Sequence, residues 1–245
     1  MKPQIFLPIF NKLFTIILLS VFFIGCEEDT GPELVRLWNC PFEIVNGSVS
    51  WDGSNLWISG AEDYTSEQKY FCVSTNGQIV SSFIAPGGVA GDIEWDGEHL
   101  WVNDASRIYR VTKEGAVTDT LPQGLPIGQM VWAGNNMWIY VHNNNEWYKI
   151  NENGEVIETY EPPYGSAGSA WDGKFLCTLT SPSRIGPGES SNTTLHRLTL
   201  GGTEAESYWF NKAKLWGLAW DGSSFWTLDT YGYGNIYRAC KITNF

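Results

Sequence analysis

Trp51–Ser59 reads WDGSNLWIS, and four variants follow: WDGEHLWVN at Trp95, WAGNNMWIY at Trp132, WDGKFLCTL at Trp171 and WDGSSFWTL at Trp220. The first tryptophans are 44, 37, 39 and 49 residues apart. Self-similarity at this period marks stacked supersecondary units. Between the phrases run short apolar or alternating segments broken by Gly, Asp, Asn and Pro, which is strand-and-turn language without a helical period. The second copy divides into DIEW, HLWVN, RIYRVT and AVTDTL, four strands in about 40 residues. That pattern predicts an all-β fold, a β-propeller of four-stranded antiparallel blades.

Each part of the phrase has a structural use. Gly53, Gly97, Gly134, Gly173 and Gly222 supply the positive φ of a tight hairpin. Asp52, Asp96, Asp172 and Asp221 suit amide bonding across that turn, and Ala133 stands in their place in the third copy. The flanking tryptophans are fillers between blades. A second hairpin, between third and fourth strands, repeats with Gly77, Gly115, Gly154 and Gly202.

The ends of the chain set the blade count. The last copy stops at Phe245 without a fourth strand, while residues 33–40 form a strand without a blade. In complete copies a bulky fourth-strand residue (Phe83, Leu121, Tyr160, Tyr208) precedes the next Trp by 11 or 12 residues, and Trp38 precedes Trp51 by 13. The N-terminal strand is therefore expected to close the ring against residues 235–243, giving five blades and hiding the sheet edges.

Residues 1–26 carry Lys2 and Lys12, then the apolar run TIILLSVFFIG, and end at Cys26. This pattern resembles a bacterial lipoprotein signal with Cys26 as the lipidated residue; a simple N-terminal membrane anchor is the alternative. Residues 27–32 read as an acidic tether and 33–245 as the propeller. The formal charge is −12, and loss of the leader's two lysines makes the mature chain more negative. So acidic a chain repels phosphate backbones and anionic lipid. Nucleic acid is not an expected partner, and contact with the membrane is expected through the lipid alone. The expected location is the bacterial cell envelope, at the outer membrane, with a monomeric protein.

Cys40, Cys72, Cys177 and Cys240 show no metal-binding spacing, and His99, His142 and His196 lie far apart in the repeat, so neither metal nor cofactor is expected. By analogy with the other hairpins Cys240 is placed opposite Leu34, about 20 Å along the strand from Cys40, too far for a disulfide. Cys177 replaces the second tryptophan of its copy and reads as a buried filler.

The WDGxxLWV…IYRV…G unit resembles those of secreted bacterial propellers: the glutamine cyclotransferase-like, virginiamycin B lyase-like and NHL-like groups. The resemblance spans roughly residues 33–245 and rests on structural residues. It implies a propeller and assigns no active-site residue.

Function is expected at the end opposite the DG turns, where loop length varies from DASR in the second blade to residues 180–193 in the fourth. Candidate catalytic groups there are Asp92 and Glu94, near the start of an innermost strand, and Asp104 and Asp229, after second strands. Two carboxylates facing across a pocket suit glycoside hydrolysis. Tyr64, Trp216, Tyr231 and Tyr233 are candidates for stacking on a sugar or peptide. Two readings stay open. One is a lipid-tethered binding or scaffolding module for an envelope protein, peptide or glycan. The other is an envelope hydrolase, lyase or glutaminyl-cyclase-like enzyme acting at the top of the axis.

Overall fold

The structure, a computed structural model, describes residues 31–104, 106–122, 124–180, 192–231 and 236–245, without the side chains of Pro122, Tyr231 and Ile236. The leader with Cys26, most of the 27–32 tether, Tyr233 and most of the long fourth-blade loop lie outside these residues.

Five antiparallel sheets of four strands follow in order. The first holds β2 (Glu43–Trp51), β3 (Leu56–Ala61), β4 (Gln68–Val73) and β5 (Ile79–Ile84). The second holds β6 (Ile93–Trp95), β7 (Leu100–Asn103), β8 (Arg107–Val111) and β9 (Val117–Pro122). The third runs from β10 (Ile127–Ala133) through β11 (Asn136–Val141) and β12 (Glu146–Ile150) to β13 (Val156–Tyr160). The fourth comprises β14 (Gly168–Trp171), β15 (Leu176–Thr180), β16 (Thr193–Leu198) and β17 (Glu204–Phe210). The fifth is β18 (Leu215–Trp220), β19 (Phe225–Tyr231) and β20 (Ile236–Thr243), completed by the N-terminal β1 (Glu33–Asn39). The chain is a five-bladed β-propeller closed by its first strand, as the repeat spacing requires. The innermost strands β2, β6, β10, β14 and β18 contact one another in a ring.

The core lies between blades. The cluster around Trp57, Tyr70 and Phe83 of the first blade continues into Ile93, Leu100 and Val102 of the second, and each later seam has its counterpart. Apolar area removed from water here stabilises by about 25 cal/mol per Å², and each second-strand tryptophan contributes to a seam.

The closing strand is held by more than backbone. Asp229, only 2% exposed, accepts from Arg36 Nε of β1 at 2.8 Å and lies 3.7 Å from Arg238 of β20. It sits inside β19 rather than after it. The register of this strand also departs from expectation. Cys240 pairs with Arg36, not Leu34, and a bulge follows between Arg36 and Trp38. The Cys40 amide donates to Tyr237 O at 2.9 Å, which puts Cys40 three residues, about 10 Å along the strand, from Cys240. The 20 Å separation is therefore corrected: the strand pairs two residues further along than the hairpin analogy placed it, and the bulge brings Cys40 one residue closer still. All four described cysteines are free thiols. Burial pushes Cys40 and Cys240 up to about 12 and Cys177 well above its usual value, so all three stay protonated and unreactive.

Candidate functional site

The DG turns explain four carboxylates. Asp52 Oδ1 accepts the amides of Ser54 and Asn55, while Oδ2 accepts Trp57 Nε1 at 3.0 Å. Asp96 does the same with Glu98, His99 and Trp101, and Asp221 with Ser223, Ser224 and Trp226. Asp172 caps its turn likewise and meets the Cys177 thiol where a tryptophan would stand. In the third blade Ala133 offers no acceptor. Trp138 Nε1 is left buried without a hydrogen bond, and the turn changes type, with both Gly134 (φ 57°) and Asn135 (φ 63°) left-handed.

Down the axis, Asp92 and Glu94 bind three blades together. Ser48 Oγ of β2 donates to Asp92 Oδ1, and the Met130 amide of β10 donates to Oδ2. Two residues on, Ser50 Oγ donates to Glu94 at 3.4 Å and the Trp132 amide at 3.1 Å. Burial pushes Asp92 up to about 6 against the pull of these donors. Burial raises Glu94 well above the carboxylate range, against the Trp132 amide, and the charge of Asp92 adds to the rise. Glu94 lies deeper than expected from its place in the strand. It borders a small cavity of about 110 Å³ at the DG-turn end, ringed by Trp51, Trp95, Trp132, Trp171 and Trp220, one from every blade.

The far side of the ring closes differently. Gly217 donates to Ala167 O at 3.0 Å. A Cβ on Gly168 would meet the Gly217 backbone at 2.6 Å, and one on Gly217 would collide with Gly47 O. Blades four, five and one therefore meet backbone to backbone.

At the loop end the axis opens into a cavity of about 580 Å³ to which all five blades contribute. Its polar walls include Asn46 of the first blade, Asn103 of the second, Gln129 and His142 of the third, Ser166 of the fourth and Tyr237 of the fifth, with Trp216 beside them. No carboxylate lines it among the described residues. Four residues before the phrase tryptophans stand Gly47, Gly91, Gly128, Ala167 and Trp216. The glycines leave room: a Cβ on Gly91 would strike Asn103, one on Gly128 the His142 ring, and one on Gly47 the Trp216 Cβ at 2.9 Å. The result is a collar of small residues with one indole. Several polar groups here are partly used. Ser166 Oγ donates to Gln129 Oε1 at 2.5 Å, Asn46 Nδ2 to Ala90 O at 2.7 Å, and Asn103 Nδ2 to Ile127 O at 3.2 Å. Burial lowers the His142 pKa below the ordinary histidine value, so the ring is neutral at pH 7. Such a cavity can hydrogen-bond and stack a small neutral polar molecule.

Of the sequence candidates whose side chains the structure describes, only Trp216 lines this cavity. Asp104 is spent on its own turn, accepting the Ser106 and Arg107 amides and the Tyr109 hydroxyl at 2.6 Å. Tyr64 is 72% exposed. Tyr231 lies in β19. The polar side chains of the cavity were not candidates from sequence, although aligning the copies on their tryptophans exposes the small-residue collar.

No family model matches the chain, and no curated protein matches it. Solved structures match across most of its length, and β-propellers are among them. The PQQ-bound aldose sugar dehydrogenase of Streptomyces coelicolor is 14% identical with a TM-score of 0.57, covering 87% of this chain and 98% of its own. The glutaminyl cyclase of Myxococcus xanthus is 14% identical at TM-score 0.43, covering 80% and 70%. BamB of Moraxella catarrhalis is 10% identical at TM-score 0.44; the match covers 80% of this chain and 57% of BamB. At these identities the likeness is one of fold alone.

Proposed function

We propose that this protein is a lipid-anchored cell-envelope binding module that takes a small neutral peptide or glycan into the axial cavity. One observation carries the reading: amide, hydroxyl and imidazole groups from five blades line one cavity with Trp216, while the nearby carboxylates are turned to neighbouring strands. Trp216 supplies the stacking face, and the neutral donors and acceptors fix orientation. The Cys26 lipid holds the module to the membrane.

A second reading has its own support. Asp92, raised to about 6 by burial, lies directly behind Gly91 and Asn103 of the cavity wall, where an acid–base group of an envelope hydrolase or lyase could stand.

Titrating the full-length protein with panels of neutral oligosaccharides and blocked peptides, followed by tryptophan fluorescence, separates the two. Binding should be lost in Trp216→Ala and kept in the Asp92→Asn, Glu94→Gln double variant. A ligand that is turned over, with turnover abolished in folded Asp92→Asn, overturns the binding reading. Cys26→Ser should release the protein from membranes; retention with an uncleaved leader removes the lipid anchor from the proposal.

A further inference from the structure

On the DG-turn face, a groove of about 520 Å³ opens at the seam between the second and third blades. The other seams show why it is open. At the first, Lys113, from the β8–β9 hairpin, reaches back to the preceding blade. Its Nζ lies 2.7 Å from Asp52 Oδ2 and 4.5 Å from the centroid of Trp95. At the third, Leu200, from the matching hairpin, packs against Gly134 and the cluster containing Ala133 and Trp171. Carboxylate meets ammonium in one seam, and alanine meets leucine in the other.

The second seam is mismatched. Aligned on the hairpin glycines Gly115 and Gly154, Glu152 stands where Lys113 stands. It lines the groove together with Asp96 and Trp132, the counterparts of Asp52 and Trp95. The turn aspartates of the other blades each hold a cation: Lys113 on Asp52, Arg197 on Asp172 and Lys241 on Asp221. Asp96 has no ion pair among the described residues. Arg110 lines the groove too, but its Nε is bound to Thr118 Oγ1 at 3.2 Å. Asp96 and Trp132 thus stand where Asp52 and Trp95 stand around Lys113, here with Trp132 stacked on Trp101 at 5.8 Å and Arg110 over the Trp101 ring, and the chain's own ammonium group is replaced by an acid.

We propose that this groove receives a lysine side chain of a partner polypeptide, its ammonium group taking the place that Lys113 fills one seam earlier. Asp96 supplies the charge, the Trp132 face the cation–π contact, and Glu152 and Asp119 add negative potential. Asn135, Asn136 and Asn153 along the groove suit the peptide backbone on either side of the lysine. The site lies on the face opposite the axial cavity and does not depend on it.

The test is an NMR titration of the full-length protein, labelled at its indole nitrogens, with the blocked pentapeptide Gly-Gly-Lys-Gly-Gly and its norleucine analogue. The Trp101 indole, whose Nε1 donates to Asp96 at 2.6 Å, reports on the site. The lysine peptide should shift that resonance at least tenfold more tightly than the norleucine peptide. Glu152→Lys, which refills the seam from within, should weaken binding at least tenfold and raise Tm. Glu152→Gln should stay within about threefold of the parent. Equal binding of the two peptides, or unchanged binding in Glu152→Lys, overturns the proposal. Binding of spermidine without binding of the peptide overturns it as a docking surface.

Discussion

The turn aspartates at the rim and the two acids of the axial wall are the same chemical group in one ring, held in opposite ways. Burial pushes Asp52, Asp172 and Asp221 up, but lysine or arginine, indole and amide donors more than offset it, and all three fall below the usual carboxylate value, Asp221 to about 2. At Asp92 and Glu94 burial wins. Hydroxyls and amides donate to them, and no cation pairs with either among the described residues. The difference teaches that desolvation at the rim is offset by a partner cation together with the turn's donors, and that at the deeper axis neutral donors do not offset it. It also separates their pH responses. A lowered group contributes stability above its unfolded pKa that is lost as pH falls through the folded value. A raised group contributes stability below its unfolded pKa that is lost as pH rises through the folded value. From pH 4 to 6 Asp52, Asp172 and Asp221 are already ionised, while folded Asp92 still holds a proton that the unfolded chain gives up, so stability should fall across that window.

The sharpest way to break this comparison is to remove a rim acid. Asp52→Ala strands Trp57 Nε1 and two turn amides and frees Lys113, so a loss of about 3 kcal/mol is expected by chemical denaturation. A loss below about 1 kcal/mol would show that the rim carboxylates are ornamental to folding. At the axis the sign should reverse. Asp92→Asn can keep its oxygen on the Met130 amide and donate its NH2 to Ser48 Oγ, which turns to accept, and without the charge it should stabilise by about 2 kcal/mol at pH 7, with the gain vanishing at pH 4. Melting curves at the two pH values check it, and a destabilised variant at pH 7 would mean that Asp92 is held as a carboxylate after all.

Gly97→Val tests the turn without touching a carboxylate. Gly97 has φ 104° with open space around its Cβ position, so the cost is conformational, about 1–2 kcal/mol. The smallest difference should separate Asp96→Ala from Asp52→Ala, about 1 kcal/mol, because both strand an indole and two turn amides and only Asp52→Ala releases a cation. The axial cavity of Asp96→Ala should bind as the parent does. If Asp96→Ala costs as much as Asp52→Ala, the ion pair with Lys113 adds nothing.

The turn carboxylates were legible because they repeat: one residue at one position in four copies is explained by the local geometry that the copies share. The axial latches were not. Asp92 and Glu94 occur in one blade only, and sequence shows neither Ser48 behind them nor the Met130 amide ahead. The register of β1 was missed because no hairpin turn ties this strand to β20, and the bulge within it leaves no mark in residue type. The groove at the second seam was hidden for a related reason. Lys113, Glu152 and Leu200 align within the repeat, but their opposing groups come from the preceding copy.

By itself the sequence determined the repeat, its strands and turns, the count of five and the closing strand. These depend on local backbone preference and on a hydrophobic period read within some 40 residues. Only the tertiary structure decided which acids are latches, where the axial cavity opens and which seam lacks its cation. Those features join side chains as far apart in the chain as Asn46 and Tyr237. Such pairs meet only when ring closure fixes the position of every innermost strand against its neighbours.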